Sequence, residues 1–152
     1  MMEKLKLLLV DDEKRFLETT SKLLSRKGLE VYTATNGQDA LDLIQKQIIH
    51  VVILDVKMPG MDGNTVLKRI KDSYPLVEVI MLTGHGTIES AVEGLKSGAT
   101  DYLVKPADIE ELASKAEEAY EKRLKQEEKI RMARARMFMK SPREILKEAD
   151  KL

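Results

Sequence analysis

Short apolar runs rich in branched residues alternate along this chain with stretches whose apolar positions recur at helical spacing. The first run, residues 5–10, is closed by Asp11 and Asp12. Residues 14–27 carry Phe16, Leu17, Thr20, Leu23 and Leu24 on one helical face, and Gly28 stands where a helix C-terminus favours a residue at positive φ. A second strand is predicted over 30–34, and Asn36 before Gly37 caps a helix over 38–46. Residues 51–54 are apolar without alternation, as a strand covered on both faces requires. A loop, Met58-Pro59-Gly60-Met61-Asp62-Gly63, precedes a helix over 64–72 with Val66, Leu67 and Ile70 inward. A fourth strand follows over 77–82, then a helix capped by Thr87 and running to Lys96, ended by Gly98. The fifth strand is 101–104. Pro106 breaks the chain, and Asp108, with Glu111 three residues later, opens a last long helix.

Strand-then-helix repeated five times, with continuously apolar strands, predicts a parallel sheet covered by helices on both faces, an α/β doubly wound domain. The tail departs from this pattern. Helix-favouring residues continue to about Met139, while the apolar positions Leu112, Ala116, Ala119 and Leu124 are sparse and the heptad signal is weak. Ser141-Pro142-Arg143-Glu144 reads as a capping box for a short final helix over 142–151. The expected division is therefore a domain over 1–123 and a helical C-terminal extension over 124–152.

The chain has 152 residues and no net formal charge, but the balance is uneven: residues 1–112 carry −4 and residues 113–152 carry +4. Between Lys129 and Arg143 there is no acidic residue, and Lys129, Arg131, Arg134, Arg136, Lys140 and Arg143 are basic. A solvated helix face accounts for this, and neither value argues for nucleic acid. Without cysteine, disulfides and thiolate chemistry are excluded. No apolar run approaches the roughly 18 residues of a membrane span, and the N-terminal run is too short for a signal peptide, so a cytoplasmic protein is expected.

The polar residues at the strand ends carry the chemistry. The first strand ends in Asp11-Asp12, the third in Asp55, the fourth in Thr83-Gly84, the fifth just before Lys105-Pro106. Ligands of open parallel sheets bind at these carboxyl ends. Three carboxylates repel one another unless a cation compensates, and hard oxygen donors with room for water suit Mg²⁺. Mg²⁺ pairs with a phosphoryl oxygen, Lys105 can bind a second, and the Thr83 hydroxyl can donate to a third. With no P-loop to hold a nucleotide, one carboxylate is the nucleophile, and Asp55, alone at the end of the most apolar strand, is the best candidate.

The set Asp11-Asp12, Asp55-Val56-Lys57-Met58-Pro59-Gly60-Met61-Asp62-Gly63, Thr83-Gly84 and Lys105-Pro106 resembles the receiver domain of two-component response regulators over roughly residues 4–123, and the run around Thr83-Gly84-His85-Gly86 is most similar to receivers of the nitrogen-regulator type. The resemblance implies a flavodoxin-like (βα)5 fold with strand order 2-1-3-4-5. It implies that Asp55 accepts a phosphoryl group from a histidine kinase or phosphotransfer protein, with Mg²⁺ held by Asp12, Asp55, the Lys57 carbonyl and, through water, Asp11. It further implies that Lys105 binds the phosphoryl group next to a cis proline bond, and that Thr83 and Tyr102 move together as a switch of a protein-interaction surface. Lys57 and His85 fall at the site rim, where a side chain can steer attacking water.

Plain structural readings stand beside these. Asp11-Asp12 suit a helix start, Lys105 a solvated loop, Thr83 a strand end, Tyr102 a half-buried strand position, His85 an exposed loop, and His50 a structural role. Competing functions also stand. The chain is read first as a receiver that assists only its own phosphorylation and dephosphorylation, which is not an enzyme in the usual sense. The tail, too short for a winged-helix or AAA+ output domain, favours a stand-alone receiver; the N-terminal fragment of a transcriptional response regulator is the second reading, against which the Ser141 capping box argues mildly. A receiver-based binding module acting through the basic tail is a third reading. An aspartate phosphatase of the dehalogenase type fits worse, since its motif needs a second aspartate where this chain has Lys57. A homodimer through the last helix, or that helix folded back on the domain, is expected; the kinase and the downstream protein are not identified by the sequence.

Overall fold

The computed structural model describes residues 3–84 and 88–139, together with 143, 146 and 147. Five strands, β1 (Lys6–Val10), β2 (Glu30–Ala34), β3 (Val51–Asp55), β4 (Glu78–Thr83) and β5 (Asp101–Val104), form one sheet in the order β2-β1-β3-β4-β5. Every pairing is parallel. The flavodoxin-like doubly wound expectation is met, including the strand order. The connections are α1 (Lys14–Arg26), α2 (Gly37–Lys46), α3 (Gly63–Ser73) and α4 (Ile88–Lys96), and α5 (Ile109–Met139) follows β5.

The period-2 geometry of a strand sends alternate residues to opposite faces. Leu8, Val10, Val52, Leu54, Val79 and Met81 meet Ala40 and Ile44 of α2, Val66, Leu67 and Ile70 of α3, and Ala91 of α4. Leu7, Leu9, Val51, Ile53, Ile80 and Leu82 meet Leu17 and Leu24 of α1 and Leu112, Ala113, Ala116 and Ala119 of α5. Every residue of β3 is buried, which explains its unalternated sequence. The helix starts follow the sequence: Asn36 Oδ1 accepts from the Asp39 N–H at 2.8 Å, Asp62 Oδ1 from Thr65 at 2.9 Å and Asp108 Oδ1 from Glu111 at 2.8 Å. Gly28 ends α1 at φ 93°. The proposed Thr87 cap and the Ser141-Pro142 capping box lie outside the described residues.

Helix α5 is one uninterrupted element of 31 residues. Its first turns bury small alanines, which let it lie close on the sheet. Further along, the Arg123 guanidinium donates to the carbonyl of Ile49, just before β3, at 2.9 Å. From Glu128 to Met139 the helix is exposed, and Phe138 is 92% accessible. Among the described residues no helix is long and apolar enough to cross a membrane.

At the amino ends of the strands, His50 ties four elements together. Its N–H donates to the Lys6 carbonyl and its carbonyl accepts from Glu78 N–H. Its Nδ1 accepts from the Lys6 N–H at 2.9 Å, and its ring lies 4.7 Å from that of Tyr120. Burial, reinforced by the Arg123 charge, lowers its pKa. Protonation would set two donors, Nδ1–H and Lys6 N–H, against each other, at a cost on the order of 1–3 kcal/mol. A folded-state pKa below the unfolded one means this stability is present above about pH 6.5 and falls as pH drops through that value. His50→Asn, which keeps an acceptor, is expected to be destabilised less than the wild type between pH 7.5 and pH 5. Parallel acid-induced losses in thermal unfolding would contradict this.

Candidate functional site

The carboxyl ends of β1, β3, β4 and β5 converge because all four strands are parallel neighbours in register. Asp55 pairs across to Leu82, and Thr83 to Val104. Asp11, Asp12 and Asp55 therefore come together, each offering a carboxylate oxygen within 4.8 Å of the others. Asp11 is fully buried, Asp55 is 6% exposed and Thr83 is fully buried, whereas Asp12 faces solvent. Such a cluster at one sheet end would cost stability if uncompensated.

Part of the compensation comes from Lys105. Its ammonium lies 2.7 Å from Asp11 Oδ2 and 3.5 Å from Asp55 Oδ2. The Lys105 N–H donates to the Thr83 carbonyl at 2.7 Å, and the Lys105–Pro106 bond is cis. Backbone donors add to this: Glu13 N–H reaches Asp11 Oδ1 at 3.0 Å and Lys57 N–H reaches Asp55 Oδ1 at 3.3 Å. Burial, with the Asp11 charge beside it, raises the Asp55 pKa to about 6 against the pull of Lys105 and the Lys57 N–H. For Lys105, burial pulls the ammonium down, but the hydrogen bond and charge of Asp11, with Asp55 and Glu13, outweigh it and leave the pKa raised. One ammonium among three carboxylates still leaves negative charge to neutralise. An all-oxygen donor set with one solvent-facing member fits a hard divalent cation that keeps part of its water shell.

The other sequence-predicted residues sit around this cluster. Thr83 ends β4 and its hydroxyl donates to the Gly84 carbonyl at 3.1 Å. Tyr102 lies on β5, paired with Met81 and half-buried against the α2–α4 side of the core. The Lys57 side chain is exposed. His85 lies outside the described residues. Met58, read as an ordinary loop residue, is buried in the core.

Two positions escaped the sequence reading. Gly63 begins α3 against the end of β3: a Cβ there would lie 2.4 Å from the Asp55 carbonyl oxygen and 2.9 Å from Val56 Cα. Its N–H donates to the Val56 carbonyl at 2.9 Å. The glycine thus lets the loop pass close behind Asp55. The signal was the Asp62-Gly63 pair, which reads equally as a simple turn. Phe16 appeared only as one of several inward residues of α1, yet its ring centroid lies 5.2 Å from the Lys105 ammonium.

Comparison with known proteins agrees with the fold. The family model described as the response regulator receiver domain matches residues 7–117. The transcriptional regulatory protein ZraR of Escherichia coli (strain K12) is 39% identical over 113 residues, which are 74% of this chain and 26% of that protein. The DNA-binding transcriptional regulator NtrC of the same strain is 37% identical over 110 residues, 72% of this chain and 24% of its own. The chain thus spans about a quarter of the length of these curated relatives. Among solved structures, the receiver domain of NtrX from Brucella abortus is 37% identical with a TM-score of 0.72, covering 76% of this chain and 98% of that one. A receiver domain protein from Clostridium thermocellum is also 37% identical, with a TM-score of 0.75, covering 78% and 95%.

Proposed function

Because this chain belongs to the response regulator receiver domain family, we propose that its phosphoacceptor is Asp55, served by Asp11, Asp12, Lys105 and Thr83. The observation that carries the assignment is the Lys105 ammonium lying between the Asp11 and Asp55 carboxylates. At pH 7 a carboxyl with a pKa of about 6 is mostly ionised, yet poorly solvated, which suits a nucleophile. An Asp55 oxygen attacks phosphorus of a phosphohistidine on a histidine kinase or phosphotransfer protein. The P–N bond breaks, its electron pair stays on the imidazole nitrogen, and that nitrogen takes a proton from water. Lys105 exchanges Asp11 for a phosphoryl oxygen, and the Thr83 hydroxyl turns from Gly84 toward another. Tyr102 then packs further inward, altering the surface around α4, β5 and α5, where a partner or a second copy docks.

Mg²⁺, when bound, neutralises the charge shared by the carboxylates and the phosphoryl oxygens. Asp12, Asp55 and the Lys57 carbonyl would hold it, and Asp11 would act through water. At Mg²⁺ tenfold above its dissociation constant, native-state binding adds about 1.4 kcal/mol of stability. Asp12→Ala is expected to lose most of the resulting rise in melting temperature. An undiminished rise in that variant would remove Asp12 from the metal site. On this reading the chain assists its own phosphorylation and hydrolysis and turns over no separate substrate.

The division into a receiver over 1–123 and an extension over 124–152 belongs to the same proposal, supported by the continuous exposure of α5 from Glu128 to Met139. A second reading concerns this extension. Lys129, Arg131, Arg134 and Arg136 are all exposed on α5, which favours a link or a binding surface there, either as part of a transcriptional regulator or as a module in its own right. Binding through these charges would weaken with rising salt.

A further inference from the structure

We propose that Phe16 is a positioning residue for Lys105 during phosphoryl transfer; this rests on the reading of Asp55 as phosphoacceptor. The Lys105 ammonium has three neighbours of different kinds: the Asp11 carboxylate at 2.7 Å, the Asp55 carboxylate at 3.5 Å and the face of Phe16 at 5.2 Å. The last lies within the roughly 6 Å over which an aromatic quadrupole attracts a cation.

The two carboxylates are not constant partners. In the resting site Lys105 is committed to Asp11, and during transfer it must move to a phosphoryl oxygen. A lysine on a flexible four-carbon stem, released from Asp11, has many solvent-facing rotamers to choose from. The ring attracts the ammonium most strongly once Asp11 has released it, so its pull is greater during transfer than in the resting site. It is also fixed in place. Phe16 stands on α1 beside the buried Leu17 and packs against the core on that side of the sheet. With Leu82, Pro106 and Ala107 it walls a cleft at Lys105, so the ammonium stays over the site while it changes partners. An aliphatic side chain would fill the same space without the quadrupole, which separates positioning from mere packing.

The test compares Phe16→Leu and Phe16→Trp in the full chain, using acetyl phosphate as donor at saturating Mg²⁺. Phe16→Leu is expected to slow phosphorylation about 2- to 30-fold, the range of measured cation–π energies, and Phe16→Trp to stay near wild type. In a Lys105→Met background Phe16→Leu should cause no further loss. Independently, the Lys105 ε-methylene proton resonances should be shifted upfield by the ring in the resting wild type and in Phe16→Trp, and should return to ordinary values in Phe16→Leu. Equal rates for Phe16→Leu and wild type, failure of tryptophan to rescue, the same loss without Lys105, or unshifted ε-protons in the wild type would each overturn the proposal. A wild type that accepts no phosphoryl group would instead sink the phosphoacceptor reading, and the resonance shifts would still decide the contact.

Discussion

Lys105→Met is expected to slow phosphorylation of Asp55 by acetyl phosphate by about 10²–10³-fold, the usual cost of losing one preorganised charge-stabilising donor. Methionine keeps most of the stem and its packing while removing the only ammonium that reaches both Asp11 and Asp55 among the described residues. The charge that develops on the phosphoryl oxygens would then have to be met by metal and backbone alone. Hydrolysis of the phosphorylated protein should slow as well, since the same oxygens carry the charge in that step. Following both rates by intact mass, with the unfolding transition as a control for folding, checks the expectation. A rate within a few-fold of wild type would mean that Lys105 is only a counterion of the resting carboxylates.

The second large effect is on stability and has the opposite sign. Without metal, Asp55→Asn is expected to be more stable than wild type at neutral pH. Burial and the Asp11 charge raise the Asp55 pKa from 3.8 to about 6. Below about pH 4 the group is protonated in both the folded and the unfolded state, and it costs nothing extra. Between that pH and about 6 the folded state holds the proton more tightly, so stability falls as pH rises. Above about pH 6 the full penalty is present, on the order of 1–3 kcal/mol. Asparagine removes the charge and the penalty together. Urea unfolding in the presence of EDTA should show Asp55→Asn ahead at pH 7.5 and the gap closing toward pH 4. A wild type more stable than the variant at pH 7.5, or a gap independent of pH, would contradict the electrostatic account. The penalty has a consequence for binding: a carboxylate cluster that is unfavourable without added positive charge favours a cation that relieves it.

Much of this was legible in the sequence because the relevant signals are local. Unalternated apolar runs predict strands covered on both faces, and β1, β3 and β4 are such strands. The ends were less sharp: β3 runs on to Asp55 and β4 to Thr83, because the ladder continues past the last apolar residue into the polar one. The order β2-β1-β3-β4-β5 followed from the family resemblance, since periodicity alone leaves several topologies open. Asp11, Asp12, Asp55, Thr83 and Lys105 were legible as polar residues that end apolar strands, a position where burial makes a charge costly.

Contacts between distant elements were not legible. Phe16 is spaced like any inward residue of α1, and nothing local says that Lys105, on the other side of the chain's course, meets its ring. Gly63 looks like a turn residue until the Asp55 backbone is placed 2.4 Å from its missing Cβ. The role of His50 depends on four elements meeting at one ring. The length of α5 was anticipated from propensity, whereas the bond from Arg123 to the Ile49 carbonyl joins residues far apart in sequence.

Asp55 is expected to take a phosphoryl group in a metal-dependent reaction. Incubation with acetyl phosphate and Mg²⁺, followed by intact mass, tests it most directly, with Asp55→Asn and an EDTA-treated sample alongside. The expected result is a gain of one phosphoryl group in the wild type that is absent from both controls. No gain in the wild type, or an equal gain in Asp55→Asn, would contradict the claim.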